Sequence, residues 1–187
     1  MTKKQLRELY KDKRKKISFL DKELKSEKIA NQLLKLNIWD RNIFHIFLTI
    51  KKQNEINTEF ILSILNEKNK QTVISKSDFS NNTLSHFLFT QQTKIKINSF
   101  GIPEPFDGKK IFSQQIEVVY LPLLIFDKKG HRVGYGKGFY DKFLLDCAPN
   151  CLKIGLSFFE PVEEIVDTST LDQSMDFCIT PNKIYKF

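Results

Sequence analysis

Three features of this 187-residue chain predict an α/β fold: a layered sandwich with a largely parallel central sheet flanked by helices, in a single domain. Apolar, β-forming runs alternate with stretches of helical periodicity along most of the sequence. The two strongest runs, IFHIFLTI at 43–50 and EVVYLPLLI at 117–125, lack the polar alternation of a half-exposed strand, so both faces are expected to be covered. The second run leads through a glycine-rich turn into an amphipathic segment. That is the place, beyond the carboxyl ends of the strands, where such sheets bind ligands.

In chain order, Leu6, Leu9, Tyr10 and Ile17 recur at three- to four-residue spacing among charges and predict a helix over 3–16. Ser18, with Asp21 three residues on, reads as the start of a second helix, running to about Leu36 and burying Leu24, Ile29, Ala30, Leu33 and Leu34. The N-terminal helices thus span 1–36. The buried strand at 43–50 follows, then helical spacing over 55–68 through Ile56, Phe60, Ile61, Ile64 and Leu65. Short strands are expected at Gln71–Ser75, 84–90 and 94–97. The segment NSFGIPEPFDGKK, 98–110, holds two prolines and two glycines and reads as a loop. Pro122 cannot donate to a ladder, so pairing should lapse there. A helix follows the glycine-rich turn, and Lys153–Ser157 and Phe177–Thr180 close the chain as strands.

The net charge is +8, concentrated in residues 1–28, which hold 11 Lys/Arg against 5 Asp/Glu. Such a segment fits a nucleic acid, an anionic membrane surface, a small polyanionic ligand or simply a solvated helix face. No basic–aromatic alternation or zinc-finger spacing supports nucleic acid. No apolar run approaches the roughly 18 residues of a membrane span, and the charged N-terminus lacks an export core, so a cytoplasmic protein is expected. Cys147, Cys151 and Cys178 are an odd number without zinc spacing and are expected as free thiols.

The chemistry is concentrated in LPLLIFDKKGHRVGYGKGFYDKFL, Leu121 to Leu144. Gly134, Gly136 and Gly138 alternate with Tyr135 and Lys137, which permits close backbone approach to a ligand and converging N–H groups. The following helix N-terminus, with Arg132 and Lys137, would complete a phosphate cradle over 132–141. A tight turn alone is the simpler reading. The pattern is neither a Walker A loop nor a dinucleotide fingerprint. Asp141, on the first helical turn, either complements the helix dipole or offers a hard oxygen to Mg²⁺ beside bound phosphate.

The run from Pro122 to Leu144 resembles the signature of the 5-formyltetrahydrofolate cyclo-ligase (5,10-methenyltetrahydrofolate synthetase) family, an apolar-Pro segment followed by F-D-x-x-G-x-R-L-G-x-G-K-G-Y-Y-D, with Val133 for the leucine and Phe139 for the first tyrosine. Four further elements resemble the family in the same order: Lys3, Lys4, Leu6 and Arg7 its K-x-x-L-R start; Glu55-Ile56-Asn57-Thr58 its E-I-x-T; Gly101 to Pro105 its G-I-P-E-P; and Asp172 with Asp176 its D-x-x-x-D pair. Ser75-Lys76 departs from the family's Pro-Arg, and two extra residues lie between Leu48 and Glu55.

The resemblance implies an ATP- and Mg²⁺-dependent ring closure of 5-formyltetrahydrofolate to 5,10-methenyltetrahydrofolate, releasing ADP and phosphate. It implies ATP contacts from Lys3, Lys4, Arg7 and residues 132–140 (Arg132, Val133, Gly134, Tyr135, Gly136, Lys137, Gly138, Phe139, Tyr140). Arg132 and Lys137 would be catalytic; Leu48, Glu55, Tyr135 and Tyr140 would meet the folate; Asp141 and Asp172 would hold Mg²⁺. A monomer is expected, with no nucleic acid and no membrane as partner. The rival readings are a basic nucleic-acid-binding module, which would leave the Gly-Tyr-Gly-Lys-Gly turn unused, and another phosphate-ligand enzyme on the same fold.

Overall fold

The computed structural model describes residues 1–187. Helices α1 (Lys3–Lys15) and α2 (Phe19–Leu33) open the chain. Thr2 caps α1 in a capping box with Gln5, and Ser18 accepts the Asp21 N–H at the start of α2. Strand β1 (Ile43–His45), α3 (Glu59–Glu67), β2 (Gln71–Asp78), β3 (Thr83–Phe89), β4 (Ile95–Ile97), β5 (Pro103–Pro105) and β6 (Lys110–Ile111) follow. The second half holds β7 (Val118–Pro122), β8 (Ile125–Phe126), β9 (Arg132–Val133), α4 (Phe139–Asp146), β10 (Leu152–Leu156), β11 (Phe177–Ile179) and β12 (Ile184–Lys186).

Eight strands form one sheet in the order β12-β11-β10-β7-β1-β2-β3-β6. The five from β11 to β2 are parallel, while β12 at one edge and β3 at the other run against them, and β6 pairs antiparallel with β3 beyond it. The α/β sandwich and its mostly parallel centre are therefore as the sequence predicts. Strand β7 shows why its run lacks polar alternation: Val118 and Tyr120 pack with α2 and α3 on one face, and Val119 and Leu121 pack with Phe143 and Leu144 of α4 on the other. Helix α1 lies apart from these layers and seats Leu6 and Tyr10 on the β8–β9 hairpin through Leu124, Ile125 and Val133.

Several details differ from the sequence reading. Leu24 and Leu34 are exposed, because α2 turns Ser26, Ile29, Ala30 and Leu33 inward and ends before Leu34. The run at 43–50 pairs as a strand only to His45; its remainder keeps its apolar character because Phe47 and Leu48 pack on the core as the chain leaves the sheet. The loop at 98–110 contains β5, which pairs antiparallel with β4 in a separate two-stranded sheet. Pro103 and Pro105 are tolerated there because a two-stranded ribbon leaves one side of each strand unpaired. Pairing along β7 ends at Pro122 as expected. The three thiols are free.

Candidate functional site

Past the carboxyl ends of β1, β2 and β7 the structure opens into a cleft of about 810 Å³. Its walls come from α1, the segment after β1, the β2–β3 hairpin, the turn before β5, and the glycine-rich loop with the start of α4. Five cations (Lys3, Arg7, Lys11, Arg132, Lys137) and three carboxylates (Glu55, Asp141, Asp172) border it. Residues 132–141 all line the cleft, as do Lys3, Arg7, Leu48, Glu55 and Asp172. Lys4 does not: it is exposed on the outer face of α1.

That difference follows from helix geometry. Lys3, Arg7, Lys11 and Arg14 are spaced by four, four and three residues and share one face, whereas Lys4 lies about 100° round the axis. The sequence reading missed Lys11, which lines the cleft, and Arg14, which reaches it through Tyr135, although the same spacing could have found them. The chain after β1 holds this helix in place: Asn54, in the left-handed conformation, donates to the carbonyls of Arg14 (2.8 Å) and Ile17 (2.9 Å). One residue later Glu55 enters the site.

Glu55 is 3% exposed and fully engaged. Its Oε1 accepts from Tyr135 Oη at 2.6 Å and its Oε2 from the Ile50 N–H at 2.8 Å. Arg14, 4% exposed, donates to the Tyr135 oxygen. Burial pushes the Glu55 carboxyl up, while Arg14, Tyr135 and the Ile50 N–H pull it back. Burial, reinforced by the Glu55 charge, raises the Tyr135 phenol and holds it protonated. Tyr140 is raised in the same way, mainly by burial.

At the other end of the loop Arg132 donates to Asp141 Oδ1 at 2.7 Å and to the Gln173 carbonyl. Burial lowers this guanidinium and Asp141 opposes the shift, so it stays charged. Lys3 pairs with Asp172 Oδ2, which also accepts the Ser169 N–H at 2.7 Å. Burial alone would raise Asp172; Lys3 and Ser169 bring it below the usual carboxylate value. Between these pairs Gly136 and Gly138 take positive φ of 89° and 72°. Gly138 is the N-cap of α4 and brings no capping side chain, so the first-turn N–H groups keep their capacity for a ligand. Arg7 Nε donates to the Gly134 carbonyl at 2.9 Å, which ties the loop to α1. Lys137 is exposed and makes no ion pair.

The opposite wall is uncharged. Phe79 stacks on Phe100 at 4.2 Å between ring centres and meets Phe139 edge-on at 5.1 Å. His45, Ser75 and Ser77 also line the cleft. Of these the sequence reading named only Phe139, as an ATP contact, because the others are brought together only by the pairing of the strands.

A mostly parallel sheet with a cleft at its strand ends, bordered by a cationic glycine-rich loop, has the architecture of an α/β enzyme. The family model of the 5-formyltetrahydrofolate cyclo-ligases matches residues 1–181, and the chain belongs to that family, a family of ligases. A probable 5-formyltetrahydrofolate cyclo-ligase of Schizosaccharomyces pombe is 26% identical over 174 residues, covering 84% of each chain. The 5-formyltetrahydrofolate cyclo-ligase of Haemophilus influenzae is 32% identical over 110 residues, 57% of this chain and 59% of the relative. The fold is that of the Aquifex aeolicus 5,10-methenyltetrahydrofolate synthetase (TM-score 0.83, 24% identity, 100% of this chain and 93% of that one). It is also that of the Mycoplasma pneumoniae synthetase (TM-score 0.77, 22% identity, 97% and 99% coverage). No helix is long and apolar enough to cross a membrane.

Proposed function

We propose that this chain closes 5-formyltetrahydrofolate to 5,10-methenyltetrahydrofolate with ATP and Mg²⁺, releasing ADP and phosphate. The observation that carries the reading is the junction, in one 810 Å³ cleft, of a cation-rich glycine loop with an uncharged aromatic wall. The first suits a nucleotide's phosphates and the second a flat ring system. Because the basic stripe of α1 turns into the cleft, a small polyanion is favoured over a duplex.

The formyl oxygen is a poor leaving group. Transfer of the ATP γ-phosphoryl group to it, with ADP departing, makes it a good one. The folate N10 lone pair then forms the new bond to the formyl carbon, the carbon–oxygen bond breaks, phosphate leaves and N10 loses its proton. Such a transfer needs alignment and charge neutralisation more than a protein nucleophile. Lys137, exposed and unpaired, and Arg132, aimed by Asp141, are placed to neutralise transferred charge. Lys3, Arg7 and the 133–140 backbone would hold the phosphates. Leu48, Tyr135 and Tyr140 would border the folate, with Glu55 acting through the Tyr135 hydroxyl it anchors.

The carboxylates fit a Mg²⁺ ion. Asp141 and Asp172 border the cleft, and each has one oxygen engaged by protein donors and the other without a protein partner. No third acidic or imidazole ligand joins them. Two carboxylates suit an ion that takes its remaining ligands from phosphate and water. Bound there, Mg²⁺ would neutralise phosphate charge. Turnover followed by the absorbance of methenyltetrahydrofolate tests the proposal. The signal is expected only with 5-formyltetrahydrofolate, ATP and Mg²⁺ together; a folded protein that gives none would overturn it.

A further inference from the structure

His45, Ser75 and His86 come from β1, β2 and β3 and form a row beneath the cleft. His45 Nε2 lies 2.7 Å from Ser75 Oγ, and Ser75 Oγ lies 2.8 Å from His86 Nδ1. The rings are roofed by Phe143 of α4, with centres 5.0 Å from His45 and 4.0 Å from His86. Both histidines are buried, and Ser75 is half-buried on the cleft wall. The outer nitrogens, His45 Nδ1 and His86 Nε2, have no partner among the protein atoms, and Ser75 Oγ has no protein partner besides the two rings. Burial keeps both rings neutral: it brings His86 down to about 4, and burial together with the neighbouring His86 holds His45 well below its ordinary value.

A neutral imidazole has one N–H and one lone pair, and a serine hydroxyl has one hydrogen and two lone pairs. If Ser75 donates to either ring, that ring's own N–H is left on its outer nitrogen, buried and without an acceptor. If both rings donate to Ser75, the outer nitrogens carry only bare lone pairs. A buried orphan N–H is the rarer and costlier defect. The second placement therefore prevails. It fills both lone pairs of Ser75 Oγ and leaves its hydrogen nowhere to go within the protein except toward the cleft.

We infer that Ser75 is a specificity-determining contact of the cleft, a hydroxyl restricted by His45 and His86 to donating, which selects a hydrogen-bond acceptor (a carbonyl oxygen or an unprotonated ring nitrogen) on the folate-class ligand. The inference rests on the folate reading for its ligand, and on the chain's own geometry for the direction of the bond. A ligand that offers an N–H at this point would meet another donor and be rejected.

Ring-nitrogen NMR of the full chain tests the direction without any ligand. His45 should carry its proton on Nε2 and His86 on Nδ1; the opposite tautomer at either residue overturns the inference. On adding 5-formyltetrahydrofolate, the ring signals of both should shift, and on adding Mg-ATP alone they should not. In turnover, Ser75→Ala should raise the folate KM about fivefold to tenfold, with kcat and the ATP KM little changed. Ser75→Thr, which keeps the hydroxyl, should stay close to wild type. Equal folate KM in wild type and Ser75→Ala overturns the contact alone. A wild-type chain that neither binds nor converts the folate overturns the contact together with the function proposed above.

Discussion

On one wall of the cleft the side chains are charged and the backbone is open: Arg132, Lys137, Lys3 and Arg7 surround a loop in which a Cβ at Gly134 or Gly138 would meet nothing within 4 Å. On the other wall they are neutral and held by the sheet: Ser75 sits between two rings, the Ser77 N–H donates to buried Glu104 at 2.8 Å, and Phe79 is wedged between Phe100 and Phe139. The charged wall is suited to neutralising a moving phosphoryl group. The neutral wall is suited to choosing a ring by shape and hydrogen-bond direction. A change on one wall should therefore alter one kinetic parameter and spare the other.

The largest effect is expected at Lys137. It is exposed and unpaired, so Lys137→Met should leave the melting temperature unchanged while turnover falls about 10²- to 10³-fold, the scale set by loss of one charge-stabilising donor. The folate KM should hardly move. Unchanged turnover would remove Lys137 from the chemistry and return the glycine turn to a structural role.

Arg14 comes next, buried behind the Tyr135 hydroxyl. It faces Tyr135 and Glu55 with 4% exposure, so Arg14→Met leaves the Glu55 carboxylate without its compensating charge. Stability to urea should fall by about 3 kcal/mol. Adding Glu55→Gln should recover part of the loss; no recovery would show that Arg14 acts by packing instead.

How much of each wall was legible in the sequence follows the same division. The charged loop is contiguous, so Gly134 to Asp141 could be read from spacing, and the strand before it from its unbroken apolar run. Lys3 and Arg7 were named by the family resemblance; helix periodicity adds that they share a face with Lys11, which lines the cleft, and that Lys4 lies off that face. The neutral wall is made by pairing. Ser75 meets His86 because β2 and β3 place them opposite each other, and His45 joins because β1 runs parallel to β2. Nothing local in VISKS or LSHFL announces that meeting. The strands β8, β9 and β12 were missed because two or three residues carry no readable period, and Leu24 and Leu34 were misplaced because a helix with several apolar faces does not say which one is buried.

The histidine row gives the neutral wall a pH signature of its own. In the unfolded chain His86 takes a proton near pH 6.5, whereas in the fold it does so only at about 4. Its folded value is depressed, so between these two values the unfolded state binds more protons and stability falls as pH drops. Each such histidine contributes up to about 1.4 kcal/mol per pH unit. Urea midpoints at pH 7, 6 and 5 should decline for the wild type and decline less steeply for His86→Gln. Equal slopes would mean that another group controls the acid limb.

The smallest expected effect is at Gly136, and it tests the independence of the walls most directly. Its φ is 89°, and a Cβ there would stand 3.0 Å from Arg7 Cζ and 3.1 Å from its Nη2. Gly136→Ala should cost about 1 kcal/mol of backbone strain. It should also push aside the guanidinium that ties α1 to the loop through the Gly134 carbonyl. Because that guanidinium end is flexible, the fold should survive and the loop should lose its tether. The ATP KM should then rise a few-fold, with the folate KM unchanged, since Gly136 and Arg7 belong to the charged wall and Phe79, Phe100 and Ser75 do not depend on them. A parallel rise in both KM values would mean that the loop also shapes the ring-binding side, through Tyr135 and its bond to Glu55, and that the cleft responds as one unit.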